Sequence, residues 1–203
     1  MDPSSYALNY FLCALDYKGS ISTPESRVAF VAGAVSELVH YGYLENAGNG
    51  QLLAGKPWDG GLPYLEPLYM AISSMDEPLT LHGIVLGLDI YCVDELLGCA
   101  GDFLISTGQL CEKQGDAYFP KEGIVASIIE RTRSALTGGG DLADEGCCLA
   151  ALLAGDGSIK AYLGDADAAI ALSRIKELAS TNNAIGAINW FIEAAALIMR
   201  NGG

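Results

Sequence analysis

Positive charge is scarce in this chain: 11 Lys and Arg stand against 25 Asp and Glu, a net charge of −14 over 203 residues. At neutral pH such a surface repels phosphate backbones and anionic lipid head groups, so nucleic acid is not expected as a partner. Screening limits the reach of each charge to about 10 Å at 0.1 M salt, which leaves room for a local patch. The candidates are Arg131 with Arg133 and Arg174 with Lys176, both sparse and both readable as solvated helix faces. Imidazole is scarcer still. His40 and His82 each sit in a helical pattern with no serine or cysteine motif beside them, so no nucleophile and base pair is announced. H-E-x-x-H and the phosphate-binding P-loop are absent. The six cysteines, Cys13, Cys92, Cys99, Cys111, Cys147 and Cys148, form no C-x-x-C pair, so neither a zinc site nor a thioredoxin-like motif is signalled and no cofactor is expected.

Long hydrophobic runs are missing too. The longest candidate, AINWFIEAAALIM at residues 187–199, carries Glu193 and falls short of the roughly 20 residues that span a bilayer, so it reads as a core helix. The start, MDPSSYALN, has no basic region ahead of its apolar run and is not read as a secretory signal. A cytoplasmic, reducing compartment follows as an expectation, with the thiols as small buried hydrophobes and no vicinal disulfide between Cys147 and Cys148.

What the chain does have is apolar content, 51% hydrophobic against 18% charged, and 25 glycines. The wealth of Ala, Leu and Ile favours a helical interior, and the length fits one domain over residues 1–203. In SYALNYFLCALD, Leu8, Phe11, Leu12 and Leu15 draw one apolar stripe on a helix from about 5 to 16. A turn at Asp16–Gly19 leads to a brief strand-like SIS. Thr23-Pro24-Glu25 then supplies a cap, a proline and an acid that start a helix running to Tyr41.

Gly42 breaks the period there. A glycine past the helix can close its last turn in the left-handed conformation, after which residues 43–46 leave as a strand, 47–50 reverse and 51–54 return. The grammar repeats: a helix over 89–108 ends on Gly108, and QLCEKQGDAYF makes a second hairpin turning at Gln114-Gly115-Asp116. Between the two lie a Pro/Gly-rich loop, a helix over 63–74 disturbed near Pro67, and a helix expected in LTLHGIVLGL after Pro78. Further helices are predicted over 120–136, 141–154, 165–179 and 183–199. The expected architecture is mainly α, a single helical core with one or two short β-hairpins.

Chemistry is harder to find in this pattern. The acidic pairs Asp76-Glu77, Asp94-Glu95 and Asp144-Glu145 each lie early in a predicted helix, where the dipole favours them, and Asp165-x-Asp167 lacks the rest of a calcium loop. Gly138-Gly139-Gly140 ahead of Asp141 reads as a loop and cap in preference to an anion nest. Tyr41, Tyr43, Trp58, Tyr64 and Tyr69 cluster around the first hairpin. Core packing is the first expectation for them, with Tyr43 and above all Trp58, in a Pro/Gly-rich loop, as contact candidates for a partner or a membrane interface.

The order of these elements resembles the Golgi phosphoprotein 3 (GPP34) family, in the manner of a divergent bacterial-type member. The resemblance rests on YALNYFLCALDYKGSIS as opening helix and turn, AGAVSELVHYGYLE as a helix-glycine-strand segment, GGLPYLEPLYMAISSMDEPLTLHGIVLGL as the next helix pair, DFLISTGQLCE as a second helix-glycine-strand, and SRIKELA before the terminal helix. It covers nearly the whole chain, with the signal in order and spacing. It implies a mainly helical domain with a projecting hairpin used in self-association, hence a homo-oligomer. It also implies a non-enzymatic adaptor, peripheral at membranes, that binds phosphatidylinositol 4-phosphate head groups and protein tails. The family's lipid-site tryptophan and arginines fall near Thr23 or Pro24, at Val31, and around Leu97 and Cys99, none of them basic here. The contact candidates in this sequence are therefore Trp58, Tyr43, Arg131, Arg133, Arg174 and Lys176. A winged-helix regulator is the alternative; it needs a basic recognition helix and wing, and residues 25–55 offer Arg27 alone.

Overall fold

The computed structural model describes residues 5–48, 51–74, 79–80, 90–137 and 141–201. Its first helix, α1 (Tyr6–Ala14), starts where Ser5 Oγ accepts the Leu8 N–H at 3.1 Å. One apolar stripe is predicted on it, yet Tyr6, Ala7, Leu8, Tyr10, Phe11, Leu12 and Cys13 are all buried. The helix is enclosed, so it needs apolar residues on more than one side. The strand expected at residues 20–22 does not form. Asp16 instead gathers the N–H groups of Lys18 and Ser20, at 2.8 and 3.1 Å, and the Ser22 hydroxyl at 2.9 Å, which bends the segment into a loop that buries Ile21.

Helix α2 (Pro24–His40) is capped as predicted, with Thr23 Oγ1 accepting from Ser26 N at 3.1 Å. Every residue from Ala29 to Leu38 is buried, which makes α2 the axis of the core. After it come β1 (Leu44–Gly48) and β2 (Gln51–Ala54), a 3-10 turn at Pro63–Leu65, and α3 (Glu66–Ser73). Next are β3 (Leu79–Thr80), α4 (Ile90–Ser106), β4 (Leu110–Gln114) and β5 (Ala117–Pro120). The chain ends in α5 (Ile124–Thr137), α6 (Asp141–Gly155), α7 (Ile159–Leu178) and α8 (Asn183–Asn201). Helices α1, α6 and α8 surround α2, and α5 and α7 pack on α6. The interior of α6 is the run Cys147–Leu153, buried throughout.

The two helix-to-hairpin units close identically. Gly42, with φ +76°, lets Tyr43 N–H reach Leu38 O at 2.8 Å and its own N–H reach Val39 O at 3.1 Å. Gly108, with φ +74°, does the same through Gln109 N to Leu104 O at 2.8 Å and its own N–H to Ile105 O at 2.9 Å. Both are six-to-one and five-to-two closures around a left-handed residue.

Several elements depart from the sequence reading. Leu79 and Thr80, predicted to open a helix, pair antiparallel with Leu52 and Gln51, so the first ribbon has three strands in the order β1-β2-β3. An unpaired edge of β2 gives the backbone after Pro78 ladder bonds that a helix start would forgo. Residues 81–89, the rest of that predicted helix and the place of His82, lie outside the described residues, as do 138–140. Helix α5 begins four residues later than predicted, at Ile124. Helix α7 begins at Ile159, six residues earlier, and is broken at Gly164 (φ 80°, ψ 167°), beside the Asp165 predicted to start it. Among the described residues no helix is long and apolar enough to cross a membrane.

Candidate functional site

The basic candidates come first, because they decide whether an anion site exists. Arg133 on α5 donates to Tyr162 O at 2.9 Å and Leu163 O at 3.4 Å, where α7 breaks, and pairs with Asp167 at 3.4 Å. Arg174 on α7 donates to Leu136 O at 2.8 Å, at the end of α5. Arg133 thus caps the carbonyls at the break in α7 and Arg174 the carbonyl end of α5, each a favourable place for a cation. Arg131 and Lys176 are exposed. The four are brought to neighbouring helices, but Arg133 and Arg174 hold helix ends together in place of an outward patch.

The aromatic candidates are internal. Tyr43 is buried at the root of β1, its hydroxyl bonded to Asp59, and Trp58 is half-buried between Tyr43 and Tyr69, with ring centroids 4.8 and 5.0 Å away. Lys56 Nζ lies 4.0 Å over the Tyr43 ring and 3.3 Å from Asp59 Oδ2. The hydrogen bond from Tyr43, then that from Gly61 N–H, holds the Asp59 carboxyl down to about 2. This cluster fastens the Pro/Gly-rich loop to the first ribbon, as the packing expectation has it. Tyr118 is used alike on the second ribbon, with Lys113 Nζ 5.0 Å over its ring.

The acidic candidates also find local roles. Asp94 pairs with Arg27 across α4 and α2, Asp165 with Lys160 at 3.1 Å, and Asp167 with Arg133. Asp76-Glu77 and the side chain of Asp144 lie outside the described residues. Among the described residues no group of His, Cys, Asp and Glu is arranged to hold a metal ion. Cys13, Cys147 and Cys148 are buried thiols, and burial, then the charge of Asp156, pushes the Cys13 thiol up to about 12.

Two adjacent polar residues near the carboxyl end of α2, Ser36 and Glu37, tie neighbouring elements to it. Ser36 Oγ donates to Ala184 O at 2.9 Å and lies 3.0 Å from the Tyr6 hydroxyl, which ties the start of α8 to α2 and α1. Glu37 is wholly buried; its Oε1 accepts Ala7 N–H at 3.1 Å and its Oε2 the Tyr64 hydroxyl at 2.6 Å. Burial pushes this carboxyl up to about 7 against the pull of those hydrogen bonds. Asn182 caps α8, its Oδ1 accepting from Ala184 N at 3.0 Å and Ile185 N at 3.1 Å.

Between this fixed start of α8 and the first ribbon lies a groove of about 710 Å³. Val35 and Val39 of α2, Leu44 and Leu52 of the ribbon, and Ala187 and Trp190 of α8 give it apolar walls. Ser180, Asn182, Asn183 and Glu45 are its polar residues, and no Lys or Arg among the described residues lines it. The volume is that of a small-molecule site, commonly about 300–1,000 Å³. Sequence reasoning missed these residues as a group because they come from segments more than a hundred positions apart. The signals that were present are the glycine break at Gly42 and the Asn182-Asn183 cap ahead of an apolar run. In a search of protein-family models the chain matches none, and no curated protein matches it in sequence.

Proposed function

We propose that this protein is a non-enzymatic binding protein that holds an apolar ligand in the groove beneath its first hairpin, in keeping with the Golgi phosphoprotein 3-like order of its elements. The observation that carries this reading is the groove itself: a half-open, apolar-walled space positioned by the Gly42 closure, the Ser36 bridge and the Asn182 cap. Its groups hold and orient. Asn182 Oδ1 is engaged with α8, and the other described lining residues are aliphatic, amide and hydroxyl in character, with the indole of Trp190 and the acidic Glu45. The first ribbon is then a wall of the site, and its loop cluster of Tyr43, Trp58 and Lys56 braces that wall. Phosphatidylinositol 4-phosphate, the ligand that the resemblance implies, would meet no cation among the described residues of this groove, so we assign the groove no anionic head group.

Titration with the uncharged fluorescent probe N-phenyl-1-naphthylamine tests the reading. Saturable binding of one probe per chain is expected, weakened about tenfold or more by Ala187→Phe, which fills the groove. No saturable binding, or binding indifferent to that substitution, would contradict it.

A further inference from the structure

The carboxyl of Glu37 lies outside the groove and the ribbons. Its partners among the described residues are donors: Oε1 takes the Ala7 N–H at 3.1 Å, in the first turn of α1, and Oε2 takes the Tyr64 hydroxyl at 2.6 Å. Tyr64 has one hydroxyl hydrogen, yet a second acceptor, Ser5 Oγ, lies 3.1 Å from it. One hydrogen cannot serve both. With Glu37 ionised, that hydrogen points to Oε2. With Glu37 protonated, the carboxyl donates to the Tyr64 oxygen and the Tyr64 hydrogen turns to Ser5, so the proton is housed with every donor paired and no heavy atom displaced. Ser5 is half-buried, which puts the outer end of this chain of three oxygens within reach of water.

The surroundings of the carboxyl supply no positive charge. The hydroxyls of Tyr6 on α1 and Tyr64 on the 3-10 turn interact with it, and Tyr41 on α2 and Cys148 on α6 act on those hydroxyls in turn. Burial, then the charge of Glu37, raises both phenols, so they stay neutral. Phe103 of α4 lies against the Tyr64 ring at 5.2 Å, and the Ala184 carbonyl at the start of α8 is taken by Ser36. His40, three residues along α2, is exposed, and among the described residues no ion pair reaches Glu37. Burial therefore dominates and lifts the carboxyl to about 7.

We propose that Glu37, Tyr64 and Ser5 form a proton-operated latch on the amino end of α1, fastened by acid and loosened by base. The proton passes along the Tyr64 and Ser5 hydroxyls. Its loss favours a local opening in which the first turn of α1 and the 3-10 turn part from α2 and let water reach the carboxylate. The direction follows from linkage: the opened carboxyl titrates near its ordinary 4.5, so opening grows as pH rises from about 4.5 and levels off above about 7. Acid, which commonly unfolds proteins by protonating carboxylates paired in the native state, here tightens one segment.

Hydrogen exchange of the full chain, followed amide by amide by NMR and corrected for the intrinsic pH dependence of exchange, tests the latch. The Ala7 N–H is the reporter, because its hydrogen-bond partner is Glu37 itself. The amides of Leu149 and Leu152, in the buried run of α6, report global unfolding. Ala7 is expected to exchange through an opening more frequent than the one that releases α6, and about tenfold or more frequent at pH 8 than at pH 5. Glu37→Gln, with no proton to lose, should abolish that difference. In the wild type the carbon resonances of the Glu37 carboxyl and of Tyr64 Cζ should titrate together, at the pH where Ala7 exchange levels off; this decides the matter if Glu37→Gln does not fold. Ala7 opening only as often as α6 at every pH, or a pH difference that survives Glu37→Gln, overturns the latch. A carboxyl that titrates while Tyr64 Cζ stays fixed overturns the relay.

Discussion

Glu37 shows how one residue in this protein couples burial to stability. Its carboxyl, wholly enclosed between α1, α2 and the 3-10 turn, is raised by burial to about 7 from an ordinary 4.5, so the folded chain keeps a proton that the unfolded chain has already released. The sign follows from linkage: where the folded state binds more protons, stability falls as pH rises. The contribution is therefore complete below pH 4.5 and is lost as pH rises through about 7. Thermal melts between those limits should show a decline in the wild type that Glu37→Gln, a neutral isostere, flattens. A variant with the same slope as the wild type would contradict the assignment. Glu37→Ala takes the acceptor from the Ala7 N–H, removes the shorter of the two Tyr64 hydroxyl bonds and opens a buried cavity, and should cost about 3 kcal/mol by denaturant titration. None of this was legible in the sequence. In the pattern around Val35 and Leu38, Ser36 and Glu37 read as ordinary polar positions, because the pattern alone does not reveal that α2 is surrounded on every side.

Elements were read more reliably wherever a backbone requirement left its mark on residue type. The closures at Gly42 and Gly108 were legible because a left-handed residue ends an apolar period in both, and the Thr23-Pro24 start was legible because a cap and a fixed φ need particular side chains. The two-residue strand β3 was not, since Leu79-Thr80 is too short to show a period and forms only because β2 presents an open edge. The helical turn Ile159–Leu163 ahead of the Gly164 break escaped for a related reason: its last carbonyls are capped by Arg133 from a different helix. Two glycine substitutions separate conformational strain from crowding. At Gly42 a Cβ would meet nothing within 4 Å, so Gly42→Ala should cost only the left-handed penalty, about 1 kcal/mol. At Gly101 on α4 a Cβ would fall 2.3 Å from the Tyr118 ring, so Gly101→Ala must displace β5 and should cost about 2 kcal/mol or more. Denaturant midpoints that rank the two in the opposite order would contradict this account of how the ribbons are attached.

At the scale of the whole molecule the excess of acid sets the behaviour. A net charge of −14 opposes compaction through self-repulsion, while the exposed ion pairs, such as Lys160 with Asp165, contribute little. Raising ionic strength from about 0.01 to 0.15 M shortens the screening length from about 30 to 8 Å, so the melting temperature should rise. A fall would mean that local pairs outweigh the mean field. Composition made this expectation and the mainly helical class legible, but not the groove, which exists only once residues near 35–52 and 179–190 meet across α2 and α8.

The central claim is that this groove is where the protein meets its ligand. Amide NMR shifts recorded during titration with N-phenyl-1-naphthylamine test it most directly. The account predicts saturable shifts gathered at Val39, Glu45, Ser180, Asn182, Ala187 and Trp190; an absence of saturable shifts, or shifts confined to α4 and the second hairpin, would contradict it.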